Sequence, residues 1–366
     1  MSSSMEGLFV PDDIHIQSHK GRYSVNFRLN SIEHLIQNPI DRAVFIIDKN
    51  ISQLYDSKLD KIFQDGRYLT IEATESNKSL DKIGDYIESL MGLNIKRNDI
   101  LVAIGGGIIQ DITCFLATTL MRGLPWVFYP TTLLAQSDSC IGSKSSINSG
   151  SLKNILGTFT PPEKIVLDVN FLKTLEKNEI YSGIGEMIKV HAIDSLESFE
   201  KISDQYQEIL LNPKVMEVFI RESLLMKKKL IEVDEFDQGP RNVMNYGHSF
   251  GHAIESATNY SIPHGIAVTI GMDLANYVAV KLNISSSQHF DRMHKVLNKN
   301  CMDFRKVQID VELLMNALLR DKKNTTSQLR LILPDKEGRI TIGLYDKNLK
   351  LREAVESYFE LYQVEK

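Results

Sequence analysis

The stretch "LVAIGGGIIQD", Leu101 to Asp111, decides the fold. Its first four residues read as a strand buried on both faces, three glycines interrupt it, and apolar residues then resume at helical spacing. A buried strand that turns through glycine straight into a helix opens a unit of an α/β sheet. Glycine lets the backbone approach a pyrophosphate closely, and the helix N-terminus behind it offers free N–H groups and a partial positive charge. A tight turn with no ligand has the same look, and the pattern is not GxGxxG, so the usual dinucleotide fingerprint is absent. Asp111 is placed either to cap this helix or to meet a ribose hydroxyl.

Working outward, "AVFIID" (43–48) predicts a buried strand closing on Asp48, an acidic residue that suits an adenosine ribose and equally suits an ordinary turn. "SLDKIGDYIESLMGL" (79–93) predicts an amphipathic helix, "DITCFLATTLM" (111–121) another, and "PWVFYP" (125–130) a short strand bounded by prolines. This alternation predicts a parallel sheet with helices on its faces, an α/β domain spanning 1–175. Long helical patterns then dominate, such as "FIRESLLMKKKLIEVDEF" (219–236) and "GIAVTIGMDLANYVAVKL" (265–282), so a mainly helical domain is expected over 176–366. "QLRLILPDKEGRITIG" (328–343) predicts a late hairpin that turns at "PDKEG". The polar run "PTTLLAQSDSCIGSKSSINSGSLKNILGTF" (130–159) carries Asp138, Lys144, Lys153 and Asn154 among small residues. It reads as a loop, either a plain surface loop or one that wraps a polyhydroxylated phosphate.

Composition narrows the partners. The chain has 366 residues, 43% of them hydrophobic and 24% charged, enough for two cored domains of ordinary globular make-up. A formal charge of -5 and a pI near 6.0 argue against nucleic acid and anionic membrane as partners. Three scattered cysteines, Cys114, Cys140 and Cys301, make neither a disulfide framework nor a thiolate zinc cage, which points to a reducing cytoplasm. "MSSSMEGLFV" lacks a basic region followed by a sustained apolar one, and no apolar run has the length of a membrane helix.

"NYGHSFGHAIE" (245–255) sets His248 and His252 on one helical face, and His264 follows in "IPHGIAV". A zinc protease needs Glu directly after the first histidine, and Ser249 stands there instead. Two imidazoles and one carboxylate suit a divalent metal with an open position, and the candidate carboxylate is Glu186 in "SGIGEMIKVHAID", with Lys189 one helical turn on. Spacing alone leaves open whether a metal binds, and which two of the three histidines would hold it.

Taken together, "GGGIIQD", "MRG", "PTTLLAQSDSCIGSK", "KNILGTF", "GIGEMIK", "RNVMNYGHSFGHAIE", "HGIAVTIGM" and "RDKK" resemble, in order, the motifs of 3-dehydroquinate synthase and related sugar phosphate cyclases. The resemblance covers roughly residues 42 to 335. It implies a Rossmann-like NAD-binding domain followed by an α-helical, metal-binding C-terminal domain, with the active site in the cleft between them. By motif position, Asp48, Glu75, Lys78, Gly105, Gly106, Gly107, Asp111, Thr131, Thr132, Phe171 and Thr174 would line NAD. Glu186, His248 and His264 would hold one divalent metal, zinc or cobalt, leaving His252 to face the substrate phosphate. Lys144, Asn154, Asn245 and a lysine of "DKK", Lys322 or Lys323, would join His252 there, with Lys153 beside them and Arg122 reaching in from a second subunit of a homodimer. Asp138 and Lys189 would contact ring hydroxyls, while Lys227 and Arg241 would take a carboxylate.

The implied reaction converts 3-deoxy-D-arabino-heptulosonate 7-phosphate to 3-dehydroquinate and phosphate with catalytic NAD. Other readings are a cyclase of the 2-deoxy-scyllo-inosose, 2-epi-5-epi-valiolone or amino-dehydroquinate synthase type, a metal-dependent polyol dehydrogenase, and a silent nucleotide-binding homologue. Three positions depart from the family: Gln110 where glycine is usual, Ser143 in place of a second glycine in "IGSK", and Pro240 in place of a common leucine before Arg241.

Overall fold

The computed structural model describes residues 13–150, 152–320 and 324–363, and divides into two compact units, Met1–Thr174 and Leu175–Lys366. Strands of the first unit are β1 (Ile14–Ser18), β2 (Gly21–Phe27), β3 (Ala43–Asp48), β4 (Tyr68–Ile71), β5 (Ile100–Gly105), β6 (Trp126–Pro130), β7 (Ile147–Ser149), β8 (Leu152–Leu156) and β9 (Lys164–Leu167). Its helices are α1 (Ser31–Gln37), α2 (Lys49–Leu54), α3 (Asp56–Asp65), α4 (Leu80–Gly92) and α5 (Gly107–Thr119). Seven strands form one sheet in the order β1-β2-β9-β6-β5-β3-β4. Only the β1–β2 hairpin is antiparallel; every other pairing in that sheet is parallel.

The apolar runs are continuous because both faces of the sheet are covered. Ile47, Val102, Ile104, Val127 and Tyr129 point to one side and pack on Ile32, Leu35, Ile51, Leu59, Ile62 and Phe171. The alternate residues Val44, Ile46, Leu101, Ala103 and Phe128 are equally buried, as the two-residue period of a strand requires. From β3 the chain runs outward to β4, then crosses back to β5 and continues the other way to β6. The C-terminal ends of β3 and β5 therefore flank a topological switch point, where open α/β sheets bind ligands.

The second unit contains α6 (Lys177–Asp194), α7 (Leu196–Asp204), α8 (Tyr206–Leu211), α9 (Pro213–Val233), α10 (His248–Ala257), α11 (His264–Lys281), α12 (Ser287–Cys301), α13 (Val311–Leu319) and α14 (Leu349–Tyr362). The expected late hairpin is present as β10 (Gln328–Pro334) paired antiparallel with β11 (Ile340–Asp346). α11 is buried from Gly265 through Ala279, which explains a sequence apolar on every side. The charge inside it is matched: the Asp273 carboxylate accepts from Arg305 Nη2 at 2.7 Å and the Tyr358 hydroxyl at 2.7 Å, with His294 Nδ1 at 2.9 Å. Among the described residues no helix is long and apolar enough to cross a membrane.

Candidate active site

In the first unit Asp48 closes β3 and Gly105 closes β5, side by side at the switch point. A Cβ on Gly105 would lie 2.7 Å from Ile109 Cβ, and one on Gly106 would lie 2.9 Å from Thr132 Cγ2, so the chain's own packing requires those two glycines. Gly107 is different. A Cβ there would meet only Ser139 Oγ, at 3.8 Å, and its N-cap residue, Gly106, makes no side-chain cap to the 13-residue helix α5. The third glycine thus leaves an open cradle against helical N–H groups, which fits the pyrophosphate of NAD. Asp48 caps α2 by accepting from the Asn50 backbone N–H at 2.9 Å, and burial raises its carboxyl above the ordinary range.

Lys78 is the hub of this half. Its Nζ donates to Asp111 Oδ2 and Asn154 Oδ1, each at 3.0 Å, and stands 3.5 Å from Glu75 Oε1. Asp111 does not cap α5; it sits in the second turn, and its Oδ1 accepts from the Ser146 backbone N–H at 3.0 Å. Burial pushes its carboxyl up to about 6 against the pull of Lys78. Asn154, expected at phosphate, is therefore tied directly to Lys78, a residue expected at NAD. Thr131 donates its N–H to Gly105 O at 2.9 Å, Thr132 Oγ1 accepts from Ala135 N at 3.2 Å, and Thr174 Oγ1 donates to Phe171 O at 2.9 Å. Phe171 is buried edge-on against Tyr55, ring centroids 5.3 Å apart.

The polar run is more ordered than the expected loop. Its first part makes a π-helical turn, Ala135–Ser139, closed by Cys140 N donating to Ala135 O at 2.9 Å and carrying Asp138. Its second part is the β7–β8 hairpin, which carries Lys153 and Asn154. β8 is exposed along its whole length, so no alternation of apolar residues announced it. Lys144 is exposed and bridges to Phe159 just outside the hairpin. Arg122 stands apart from these groups, exposed ahead of β6, while Gly105 and Thr131 lie at the opposite strand ends. Met121 and Arg122 hold positive φ of 52° and 69°, a conformation disfavoured for side chains of this bulk.

In the second unit two glycines bring the cluster together. A Cβ on Gly265 would lie 1.9 Å from Ser182 O, and one on Gly185 would lie 2.3 Å from Gly265 O, so α6 and α11 cross at backbone distance. Glu186 and His264, the neighbours of those glycines, consequently meet: Oε1 to Nε2 is 3.4 Å, and His248 Nε2 is 3.8 Å from the same oxygen. The ligand nitrogens of His248, His252 and His264 lie within 4.8 Å of one another. Atoms held about 2.0–2.2 Å from one tetrahedral ion stand roughly 3.3–3.6 Å apart, close to these spacings. Glu186 Oε1 is buried without a hydrogen-bond partner, while Oε2 accepts from Lys189. An orphaned carboxylate oxygen facing two imidazole nitrogens fits a divalent cation.

The electrostatics of Glu186 and His248 agree with that fit, while His264 would give up a proton on binding a metal. Burial alone would raise the Glu186 carboxyl, but Lys189, His248 and His264 together hold it well below the ordinary range. His248 is held well below its ordinary value by burial and by the Lys189 charge, so its imidazole is neutral. His264 is opposed by burial yet pushed up to about 10 by its contacts with Glu186 and Glu255. Its Nδ1 lies 3.3 Å from both oxygens of Glu255, and His248 Nδ1 lies 3.2 Å from Tyr246 O. Glu255 was not singled out from the sequence, although it sits three residues after His252 on the same helical face. His252 is exposed, its ring stacked 5.6 Å from that of His264.

Lys227 on α9 and Arg241 in the short helix Pro240–Asn245 are both buried. Asp234 fixes the latter by accepting from the backbone N–H of Gly239 at 2.8 Å and of Arg241 at 3.1 Å, and Arg241 Nη1 donates to Glu235 O at 2.6 Å. Asn245 Nδ2 donates to Asn242 O at 3.0 Å. Lys322 and Lys323 lie outside the described residues.

Known proteins match both halves. The family described as 3-dehydroquinate synthase N-terminal matches residues 68–182, and 3-dehydroquinate synthase C-terminal matches 183–324. The chain belongs to the 3-dehydroquinate synthase family. The 3-dehydroquinate synthase of Dehalococcoides mccartyi is 37% identical over 310 residues, 83% of this chain and 86% of that one. A solved 2-deoxy-scyllo-inosose synthase, complexed with carbaglucose-6-phosphate, NAD+ and Co2+, superposes with a TM-score of 0.84 at 23% identity, covering 94% of this chain and all of that one. ValA, the 2-epi-5-epi-valiolone synthase of Streptomyces hygroscopicus subsp. jinggangensis 5008 with NAD+ and Zn2+ bound, gives 0.81 at 22% identity, covering 93% and 97%. These two structures share the dehydroquinate synthase-like fold. The chain is thus a sugar phosphate cyclase of the 3-dehydroquinate synthase type, and the readings as another type of sugar phosphate cyclase or as a polyol dehydrogenase are not favoured.

Proposed function

We propose that the chain converts 3-deoxy-D-arabino-heptulosonate 7-phosphate to 3-dehydroquinate and phosphate, as a cytoplasmic homodimer using NAD and one zinc or cobalt ion. The observation that carries the metal-dependent part is the buried, unpartnered Glu186 Oε1 facing His248 and His264. When bound, NAD would take and return a hydride at one ring carbon and the metal would polarise the oxygen there, which acidifies the neighbouring C–H ahead of phosphate loss.

Glu186, His248 and His264 are the proposed ligands, with Glu255 orienting His264 through Nδ1. His252, exposed beside them, is left to the phosphate together with Lys144, Asn154, Asn245 and the lysine pair Lys322–Lys323, with Lys153 nearby. Arg122, held outward on a left-handed backbone, is proposed to serve the site of a second subunit. Asp138 and Lys189 are proposed to hold ring hydroxyls and Lys227 with Arg241 the substrate carboxylate. A lysine and an arginine that both donate to one group suit a carboxylate, through charge-assisted hydrogen bonds, better than the neutral end of a sugar.

The test is phosphate release from the heptulosonate phosphate, glucose 6-phosphate and sedoheptulose 7-phosphate, with one equivalent of NAD per site. Many turnovers on the first substrate without build-up of NADH are expected. Charge-assisted bonds are worth about 1.5–3 kcal/mol each, so Arg241→Ala should lower kcat/KM for that substrate by roughly 10- to 150-fold. Faster cyclisation of either carboxylate-free sugar would overturn the substrate, and NADH accumulating with product would overturn the cyclase chemistry.

A further inference from the structure

Gln110 is buried in α5, and both ends of its amide are taken by one residue. Nε2 donates to Ser139 O at 2.6 Å, and the Ser139 hydroxyl donates back to Oε1 at 2.7 Å. Ser139 ends the π-helical turn and directly follows Asp138. π turns are rare and concentrate at functional sites, because they re-aim a side chain that a regular helix would point elsewhere. The other end of this turn is held just as firmly: Gln136 Nε2 donates to Pro130 O at 3.0 Å and Asp168 O at 2.9 Å. Two buried amides therefore bracket Asp138, Gln136 fixing it to the sheet and Gln110 to the helix of the glycine turn. The Gln110 backbone N–H donates to Gly106 O at 3.0 Å, and the Ser139 hydroxyl is the group nearest the open side of Gly107.

We infer that Gln110 is a positioning residue for the reaction: its carboxamide clamps the Asp138 turn to the NAD-binding helix and so sets where the Asp138 carboxylate stands relative to bound NAD. This rests on the proposed contact of Asp138 with a substrate hydroxyl. A displacement of about 1 Å in such a group costs on the order of 100-fold in rate. Gln110 touches neither substrate nor cofactor; it acts through the turn.

The test uses the full chain loaded with metal and compares Gln110→Ala, the volume-preserving Gln110→Met, Ser139→Ala, Asp138→Asn and the double variant Asp138→Asn/Gln110→Met. Readouts are kcat and KM for the heptulosonate phosphate, NAD affinity by titration, and Tm. Both Gln110 variants are expected to lower kcat about 10- to 100-fold with NAD affinity changed less than about threefold. Ser139→Ala, which keeps the bond to the backbone carbonyl, should lose less. If Gln110 works through Asp138, adding Gln110→Met to Asp138→Asn should slow it no more than about twofold. Unchanged kcat in Gln110→Met, with Asp138→Asn slow, would overturn the inference and leave the role of Asp138 standing. A full additional loss in the double variant would show that the amide acts by another route, also overturning it. An Asp138→Asn enzyme as fast as the parent would overturn the role of Asp138 and the inference with it.

Discussion

The glycine turn at the end of β5 and the histidine cluster on α10 and α11 both use glycine, and use it oppositely. Gly107 leaves space in front of the backbone, where helical N–H groups of fixed partial charge await an anion. Gly185 and Gly265 abolish space, letting two helices touch so that ionisable side chains meet in a buried place. The first arrangement needs no ligand to be stable, since backbone dipoles cost little when solvated. The second buries Glu186 beside Lys189, leaves Oε1 without a partner, drives His248 well below its ordinary value and pushes His264 up to about 10. A divalent ion held there would give Glu186 Oε1 its partner and would displace the proton that His264 holds, so metal binding in this unit would be coupled to pH and to folding.

The sharpest way to break the comparison is to neutralise the carboxylate of the second arrangement. Glu186→Gln removes the charge that faces both imidazoles and accepts from Lys189. Metal content should fall to near zero by elemental analysis, and kcat/KM should drop about 1,000-fold or more, the several kcal/mol that a Lewis acid supplies. Affinity for NAD, built on the other unit, should stay within about threefold of the parent. Full metal occupancy in this variant would remove Glu186 from the ligand set and leave the three imidazoles as the site.

Glu255→Gln sharpens the same contrast more gently. Both Glu255 oxygens lie 3.3 Å from His264 Nδ1, the ring atom opposite the one that faces Glu186. Replacing such an orienting carboxylate weakens metal binding by about 10- to 100-fold, read by competition with a chelator in the absence of substrate. An unchanged metal affinity would mean that the helix crossing at Gly265 alone fixes the ring.

The two regions also differ in how far they can be read without coordinates. The strand, glycine turn and helix at 101–119 are local: period, glycine and the change of spacing all lie within twenty residues. The cluster is only half local. That His248 and His252 share a helical face is legible from spacing, which still leaves open which two histidines act together; that Glu186 meets His264 depends on α6 crossing α11, which no window of sequence contains. The hairpin over 147–156 escaped for another reason, since its outer strand is exposed throughout and its inner one is only three residues long. Gln110 was visible as an unusual residue, but its partner Ser139 lies 29 positions away on a turn of a kind that has no sequence signature.

The smallest expected effect tests whether the first unit is as free of electrostatic cost as its glycine turn suggests. Asp48 and Asp111 are exceptions there, and Asp111 is the larger: burial pushes it up to about 6 from an ordinary 3.8, despite Lys78 at 3.0 Å. Between those two values the folded chain holds more protons than the unfolded one, so this group's contribution to stability falls as pH rises across the window. Below about 4 the cost vanishes, and above about 6 it is present in full. Asp111→Asn keeps an oxygen for the Ser146 N–H but cannot carry the charge. The stability of the variant relative to the parent should therefore move in the variant's favour from pH 4 to pH 8. Two units correspond to about 3 kcal/mol at most, and partial exposure of the side chain trims this to roughly 1 kcal/mol. Urea unfolding at the two pH values measures the difference. NAD affinity should fall in the same variant if Asp111 also meets the cofactor, making the cost of its burial a cost of function; a stability difference that does not change with pH would show instead that Lys78 fully compensates the buried charge.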